Sequence, residues 1–134
     1  MKVCRRETFN AAHRLFKPEW SDEKNLAVFG KCSLPNFHGH NYALEVWIEG
    51  EIDPETGFVI DLKILKEIIL TKIIDKFDHR NLNLDCEEFK GINPTTENIA
   101  KVIWKILRKT LDPKFGVEVQ VQETEKNKVF YSGH

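Results

Sequence analysis

Cysteine is scarce in this 134-residue chain. The three present, Cys4, Cys32 and Cys86, are odd in number, far apart and without a C-x-x-C pair. That pattern excludes a disulfide framework and a thiolate zinc knuckle. Long apolar runs are also missing, so no segment reads as a membrane span. The opening M-K-V-C-R-R-E lacks the apolar core of a secretion signal, and the cytoplasm is the expected compartment. No charge sign dominates: 20 Lys and Arg stand against 21 Asp and Glu, mixed along the chain, which argues against a nucleic-acid stripe or a polybasic tail. Internal repeats and linkers are absent, and the length suits one domain over residues 1–134.

What the chain does have is concentrated in one stretch, F-G-K-C-S-L-P-N-F-H-G-H-N-Y, from Phe29 to Tyr42. His38 and His40 lie two apart, so on an extended segment both rings point to one face. Such a pair is either a chance surface feature or part of a divalent-metal site. Gly39 between them adds little bulk, and His13, in its own run A-A-H-R-L, is the best candidate for a third ligand. Three neutral imidazoles suit zinc, with a fourth position left for water or substrate. Cys32, six residues before His38, is either a thiol serving that site or one more buried cysteine.

The periodicities predict an α+β domain. Residues Lys2 to Leu15 look extended, with a change of direction near His13, and Phe16 to Asn25 read as a loop with at most one helical turn. Pro35-Asn36 marks a turn. The clearest long strand runs from His38 to Glu51, with Tyr42, Leu44, Val46 and Ile48 sharing the histidine parity. After a turn over Gly50 to Gly57, Phe58-Val59-Ile60 reads as a last extended piece, and Asp61 makes a helix N-cap. Leu62, Leu65, Ile68, Ile69, Ile73 and Phe77 then recur at helical spacing. A second helix, capped by Thr95 or Thr96, buries Ile99, Val102, Ile103, Ile106 and Leu107 and ends before Pro113. Val117, Val119 and Val121 alternate with polar residues as a strand, and Val129 to Tyr131 returns. Four strands with two helices on one face leave exposed edges, which subunit association would cover.

These residues suggest a chemistry. A zinc ion on His13, His38 and His40 is a Lewis acid toward a small molecule's hydroxyl or carbonyl oxygen. A Cys32 thiolate beside it can move a proton. Asp78-His79 is a second acid–base element, since a carboxylate orients an imidazole and favours its protonated form; a cap on the end of the first helix is the other reading. Glu123 falls on the buried valine parity, where an acid needs a partner. Its two oxygens suit a guanidine-like ring edge, and a lysine across an interface is the other candidate. Thr95 and Thr96 are most simply helix caps. Lys31, Arg14 and Lys76 are available to an anionic substrate, or are solvated charge.

The segments F-N-A-A-H-R-L at 9–15, N-L-A-V-F-G-K-C-S-L-P-N-F-H-G-H-N-Y at 25–42, G-E-I-D-P-E-T-G at 50–57, F-D-H-R-N-L at 77–82, P-T-T-E-N at 94–98 and V-Q-E-T at 121–124 together resemble the 6-pyruvoyl-tetrahydropterin synthase / 6-carboxytetrahydropterin synthase family. The resemblance implies the tunnelling fold: a four-stranded antiparallel sheet with two helices on one face, three subunits closing a barrel, and two trimers stacking as a homohexamer. It implies Zn²⁺ on His13, His38 and His40, Cys32, Asp78 and His79 as the catalytic group, and Glu123, Thr96 and Glu97 at the pterin. The implied substrate is 7,8-dihydroneopterin triphosphate. The implied products are triphosphate and 6-pyruvoyl-tetrahydropterin, with no external redox cofactor. A related branch makes 6-carboxy-5,6,7,8-tetrahydropterin for deazapurine synthesis, typically with a shorter C-x-x-x-H-G-H segment. Here five residues separate Cys32 from His38, which favours the pyruvoyl branch. A third branch, which cleaves the side chain for folate synthesis, replaces the thiol with an acid. A zinc- or pterin-binding module without turnover is the remaining alternative.

Overall fold

The computed structural model describes all residues, Met1 to His134. Strand β1 (Lys2–His13) and strand β2 (His38–Glu49) form an unbroken antiparallel ladder from Lys2↔Glu49 to His13↔His38. Between them lie helix α1 (Asp22–Phe29) and a 3₁₀ turn (Gly30–Ser33). Helix α2 (Leu62–Ile69) runs through a π-helical turn (Leu70–Ile74) into α3 (Asp75–Phe77). Strand β3 (Arg80–Asn81), the short α4 (Leu82–Asp85) and a 3₁₀ turn (Glu87–Phe89) lead to α5 (Thr96–Thr110), then β4 (Gly116–Thr124) and β5 (Asn127–Tyr131).

The expected four-stranded antiparallel sheet is corrected to a five-stranded mixed one, in the order β3-β1-β2-β4-β5. The addition, β3, is only Arg80–Asn81, parallel to β1 at Ala11 and Ala12. Two residues carry no alternation, so no pattern announces them; tertiary hydrogen bonding alone makes them a strand. A second correction concerns residues 16–25, read as a loop with one helical turn: the turn is there, and the helix runs on to Phe29. Helix α1 starts inside them at Asp22, with the Ser21 hydroxyl accepting from the Lys24 N–H at 3.1 Å. It buries only Asn25 and leaves Leu26 and Val28 exposed, so it has no apolar stripe to detect. Phe58 to Ile60 forms no strand, and Val59 and Ile60 lie in a bend. Asp53 closes the preceding turn, accepting from the Glu55 N–H at 2.7 Å, while Gly57 takes φ +76°.

Both predicted helices pack on one face of the sheet. Leu65, Ile69, Ile73 and Phe77 from the first, and Ile99, Ile103 and Leu107 from α5, bury against Phe9, Tyr42, Leu44, Val46, Ile48, Val117, Val119 and Val121. Each large aliphatic side chain so buried contributes roughly 1.5–3 kcal/mol. This single core holds the ends of β1 and β2 rigidly side by side. No helix is long and apolar enough to cross a membrane.

Candidate active site

The ladder register decides the site. His13 is the last residue of β1 and pairs with His38, the first of β2, while His40 pairs with Ala11. The three rings therefore share one face at one end of the sheet. Their centroids lie 4.6 Å (His13–His38), 5.1 Å (His13–His40) and 5.0 Å (His38–His40) apart, and one ligand atom from each falls within 4.8 Å of the others. Tyr42, next on the same parity, is fully buried beneath them, its ring 5.6 Å from that of His40.

His13 Nδ1 lies 2.8 Å from the Pro94 carbonyl. A carbonyl only accepts, so Nδ1 carries the proton and Nε2 presents a lone pair. Burial holds His13 below the usual imidazole range, against the opposing effect of the Pro94 carbonyl; burial and the neighbouring His40 do the same to His38. Both rings are thus kept in the neutral form that ligates metals. The Nε2 atoms of His13, His38 and His40 are all buried and none has a hydrogen-bond partner. One such orphan costs about 1–3 kcal/mol, and three converging in one place fit a bound cation, which would satisfy all of them.

Glu123 borders this trio. Its Oε1 is 3.7 Å from His40 Nε2, and its Oε2 accepts from the Thr96 hydroxyl at 2.7 Å. The β4–β5 register shifts between Gln122 and Thr124, a bulge at Glu123 of the kind that re-aims a side chain. Thr95, not Thr96, caps α5, accepting from the Asn98 N–H at 3.2 Å, which leaves the Thr96 hydroxyl for Glu123. Glu97 is exposed in the first turn of α5 and makes no polar contact. Cys32 is half-buried in the 3₁₀ turn, its carbonyl accepting from the Leu15 N–H at 2.9 Å. Burial foremost, then Glu123 and Cys32, pushes the Tyr42 phenol well above its ordinary range.

Asp78 and His79 form a pair anchored on the backbone of Asn10. Asp78 Oδ2 is 3.0 Å from His79 Nδ1. Asp78 Oδ1 accepts from the Asn10 N–H at 2.9 Å, and the His79 N–H donates to the Asn10 carbonyl at 2.6 Å. The Asn10 N–H is the main cause that holds the Asp78 carboxyl below its usual range. His79 adopts a left-handed backbone, φ +60°, and exposes 81% of its side chain. No hydrogen bond or ion pair links either residue to Cys32 or to the three histidines. Lys76 is taken up by Glu88 at 2.6 Å, and Arg14 Nε donates to the Ser33 carbonyl at 2.7 Å. Two contributors escaped the sequence reading. The Pro94 carbonyl leaves no trace in a side-chain pattern, and Asn10 acts through its backbone.

A family model described as 6-pyruvoyl tetrahydropterin synthase matches residues 2–134. The chain belongs to the 6-pyruvoyl tetrahydropterin synthase family. It is 46% identical over 132 residues to the human 6-pyruvoyl tetrahydrobiopterin synthase, covering 98% of this chain and 91% of that protein. It is 48% identical over 132 residues to the Drosophila melanogaster protein of that name, covering 98% and 79%. The solved Caenorhabditis elegans 6-pyruvoyl tetrahydropterin synthase superposes with a TM-score of 0.92 at 39% identity, covering 100% of this chain and 96% of that one. The family's α+β architecture is thus shared over the whole chain.

Proposed function

We propose that this chain is a zinc-dependent lyase that converts 7,8-dihydroneopterin triphosphate to 6-pyruvoyl-tetrahydropterin and triphosphate, in tetrahydrobiopterin synthesis. One observation carries the reading: three partnerless buried Nε2 atoms converge beside a carboxylate that already holds one hydroxyl donor. His13, His38 and His40 would hold the zinc, which when bound supplies Lewis acidity toward the substrate's side-chain oxygens.

The other roles belong to the chain's own groups. Glu123 anchors the pterin, its Oε1 accepting from the ring's N–H edge while Thr96 fixes Oε2. Glu97, on the same helix turn as Thr96, lies toward the pterin-recognition region. Cys32 removes and returns protons at the side-chain carbons. Asp78, held below the usual carboxylate range by Asn10, orients the His79 imidazole through the 3.0 Å contact to Nδ1 for proton transfer. The reaction balances within the substrate. The two alcohol carbons lose hydrogen and electrons and become ketones. The ring imine and the terminal carbon gain them, and the terminal C–O bond breaks to release triphosphate.

The lack of any hydrogen bond or ion pair between Asp78-His79 and the histidine cluster supports a site completed by a second copy. So do the sheet's outer edges, beyond β5 and along β1 before Ala11. We read the assembly as a homohexamer of two stacked trimers with barrel-closed sheets, and the compartment as the cytoplasm, in keeping with three free thiols. Neither nucleic acid nor a membrane is a partner in this reading.

The test is product identification. Purified zinc-loaded protein is incubated with 7,8-dihydroneopterin triphosphate and the pterins are resolved by mass spectrometry. Triphosphate release with a 6-pyruvoyl product is expected. Dominant 6-carboxy-tetrahydropterin with acetaldehyde would move the chain to the deazapurine branch, and absence of turnover would leave a binding module.

A further inference from the structure

We propose that Arg14 and Asn83 are positioning residues for the reaction: together they fix the Cys32 turn against the strand that ends at His13. The inference rests on the reading of Cys32 as the proton-transferring thiol.

Strand β1 stops at His13, yet the backbone N–H of each of the next three residues is engaged. The Arg14 N–H donates to Asn83 Oδ1 at 2.8 Å, and Asn83 Nδ2 donates back to the Arg14 carbonyl at 2.8 Å. One carboxamide thus supplies the donor and acceptor that a neighbouring strand would offer. It extends the two-residue pairing of β3 with β1 past its end. The Phe16 N–H donates to Asn93 Oδ1 at 3.0 Å. Facing the other way, the Leu15 N–H donates to the Cys32 carbonyl at 2.9 Å and Arg14 Nε donates to the Ser33 carbonyl at 2.7 Å. The guanidinium also lies over the Phe16 ring, 3.8 Å from its centroid, which fixes its plane. Within the turn, the Ser33 hydroxyl donates to the Gly30 carbonyl at 2.8 Å.

The consequence is geometric. The half-buried Cys32 turn has its two outward contacts to β1 through residues directly after a candidate metal ligand, and Asn83 holds those residues from the far side. The distance between thiol and histidines is therefore set by this clasp. A lysine at position 14 keeps the charge but lacks the mid-chain N–H and the flat, stacking group. A leucine at position 83 keeps the size of the carboxamide and removes both hydrogen bonds.

Asn83→Leu and Arg14→Lys are compared with the wild type as zinc-loaded full-length protein. The measurements are zinc content, thermal unfolding, steady-state kinetics, and the rate of iodoacetamide modification of Cys32 at fixed pH. Because an ångström of misplacement costs up to about 100-fold, kcat is expected to fall roughly 10- to 100-fold in both variants with KM changed less than about threefold. Zinc should be retained, and the Cys32 modification rate should change in both. Should Asn83→Leu fail to fold, Arg14→Lys decides alone. Wild-type kcat and modification rate in a folded variant, with only a lowered melting temperature, would reduce the clasp to a structural role and overturn the proposal. A raised KM at unchanged kcat in Arg14→Lys would also overturn it, since Arg14 would then touch substrate. A wild type without turnover refutes the proposed function instead. The modification rates then still decide whether the clasp sets the thiol.

Discussion

His13 and His38 are direct partners across the β1–β2 ladder, with ring centroids 4.6 Å apart. The register that buries Phe9, Tyr42 and Leu44 on the helix side also brings these two rings together, so the histidine cluster is a consequence of core formation. A one-residue slip would turn every one of these groups to the opposite face.

His38→Ala removes one of the three converging nitrogens while leaving the ladder intact. Metal affinity, measured by competition with a chelator, should fall by more than the roughly 10–100-fold typical of an outer-shell change, with circular dichroism unchanged. Unaltered zinc stoichiometry and affinity would remove His38 from the ligand set.

Thr96→Val leaves Glu123 Oε2 without its hydroxyl donor. A hydrogen bond to a charged group is worth about 1.5–3 kcal/mol, so KM for the pterin should rise about tenfold or more through loss of a fixed carboxylate. Equal KM values in the variant and the parent would show that Thr96 does not hold the anchor.

The three thiols should separate by reactivity. Burial pushes Cys4 up, and burial pushes Cys86 up to about 11, so both stay protonated near neutral pH and react slowly. Iodoacetamide at pH 7.5 should modify Cys32 first, and Cys32→Ala should retain zinc while losing most turnover. Peptide mapping and a turnover assay check the two halves of this expectation.

Asp78 predicts an acid limb. Its folded pKa lies below the ordinary carboxylate value because the Asn10 N–H and then His79 favour the charged form. The stability it contributes is therefore fully present above the unfolded carboxylate value, near 4, and is lost as pH falls through the lower folded value. Asp78→Asn should melt lower than the parent at pH 7, and the gap should close in strongly acid buffer. A gap independent of pH would assign the effect to packing.

Most of this architecture could be read from patterning. The alternation in β2 and β4 and the helical spacing from Leu62 to Phe77 and from Ile99 to Leu107 reflect one shared core, which imposes periodicity on everything that touches it. The histidine triad was legible for the same reason, because His38 and His40 share the parity of Tyr42 and Leu44. What stayed hidden lacks a period. β3 is two residues long and exists through its hydrogen bonds to β1. α1 buries a polar residue, Asn25, whose amide donates to the Lys17 carbonyl at 3.0 Å, so its inward side does not look apolar. The Thr96–Glu123 hydrogen bond joins residues 27 apart, and the ring-orienting group for His13 is a main-chain oxygen. Such contacts are properties of the folded arrangement, and no local window contains them.

The wide turn at Leu70–Ile74 gives chain length a meaning that composition lacks. Residues following a helix rotate by about 100° for each residue added or removed, and Asp78 meets Asn10 at the end of α3, into which this segment runs. A substitution on the outer face here leaves that geometry alone, but a gap of a single position would swing the carboxylate away from β1. The interval between Asp61 and Asp78 thus behaves as a ruler, and insertions or deletions are expected to fall outside it.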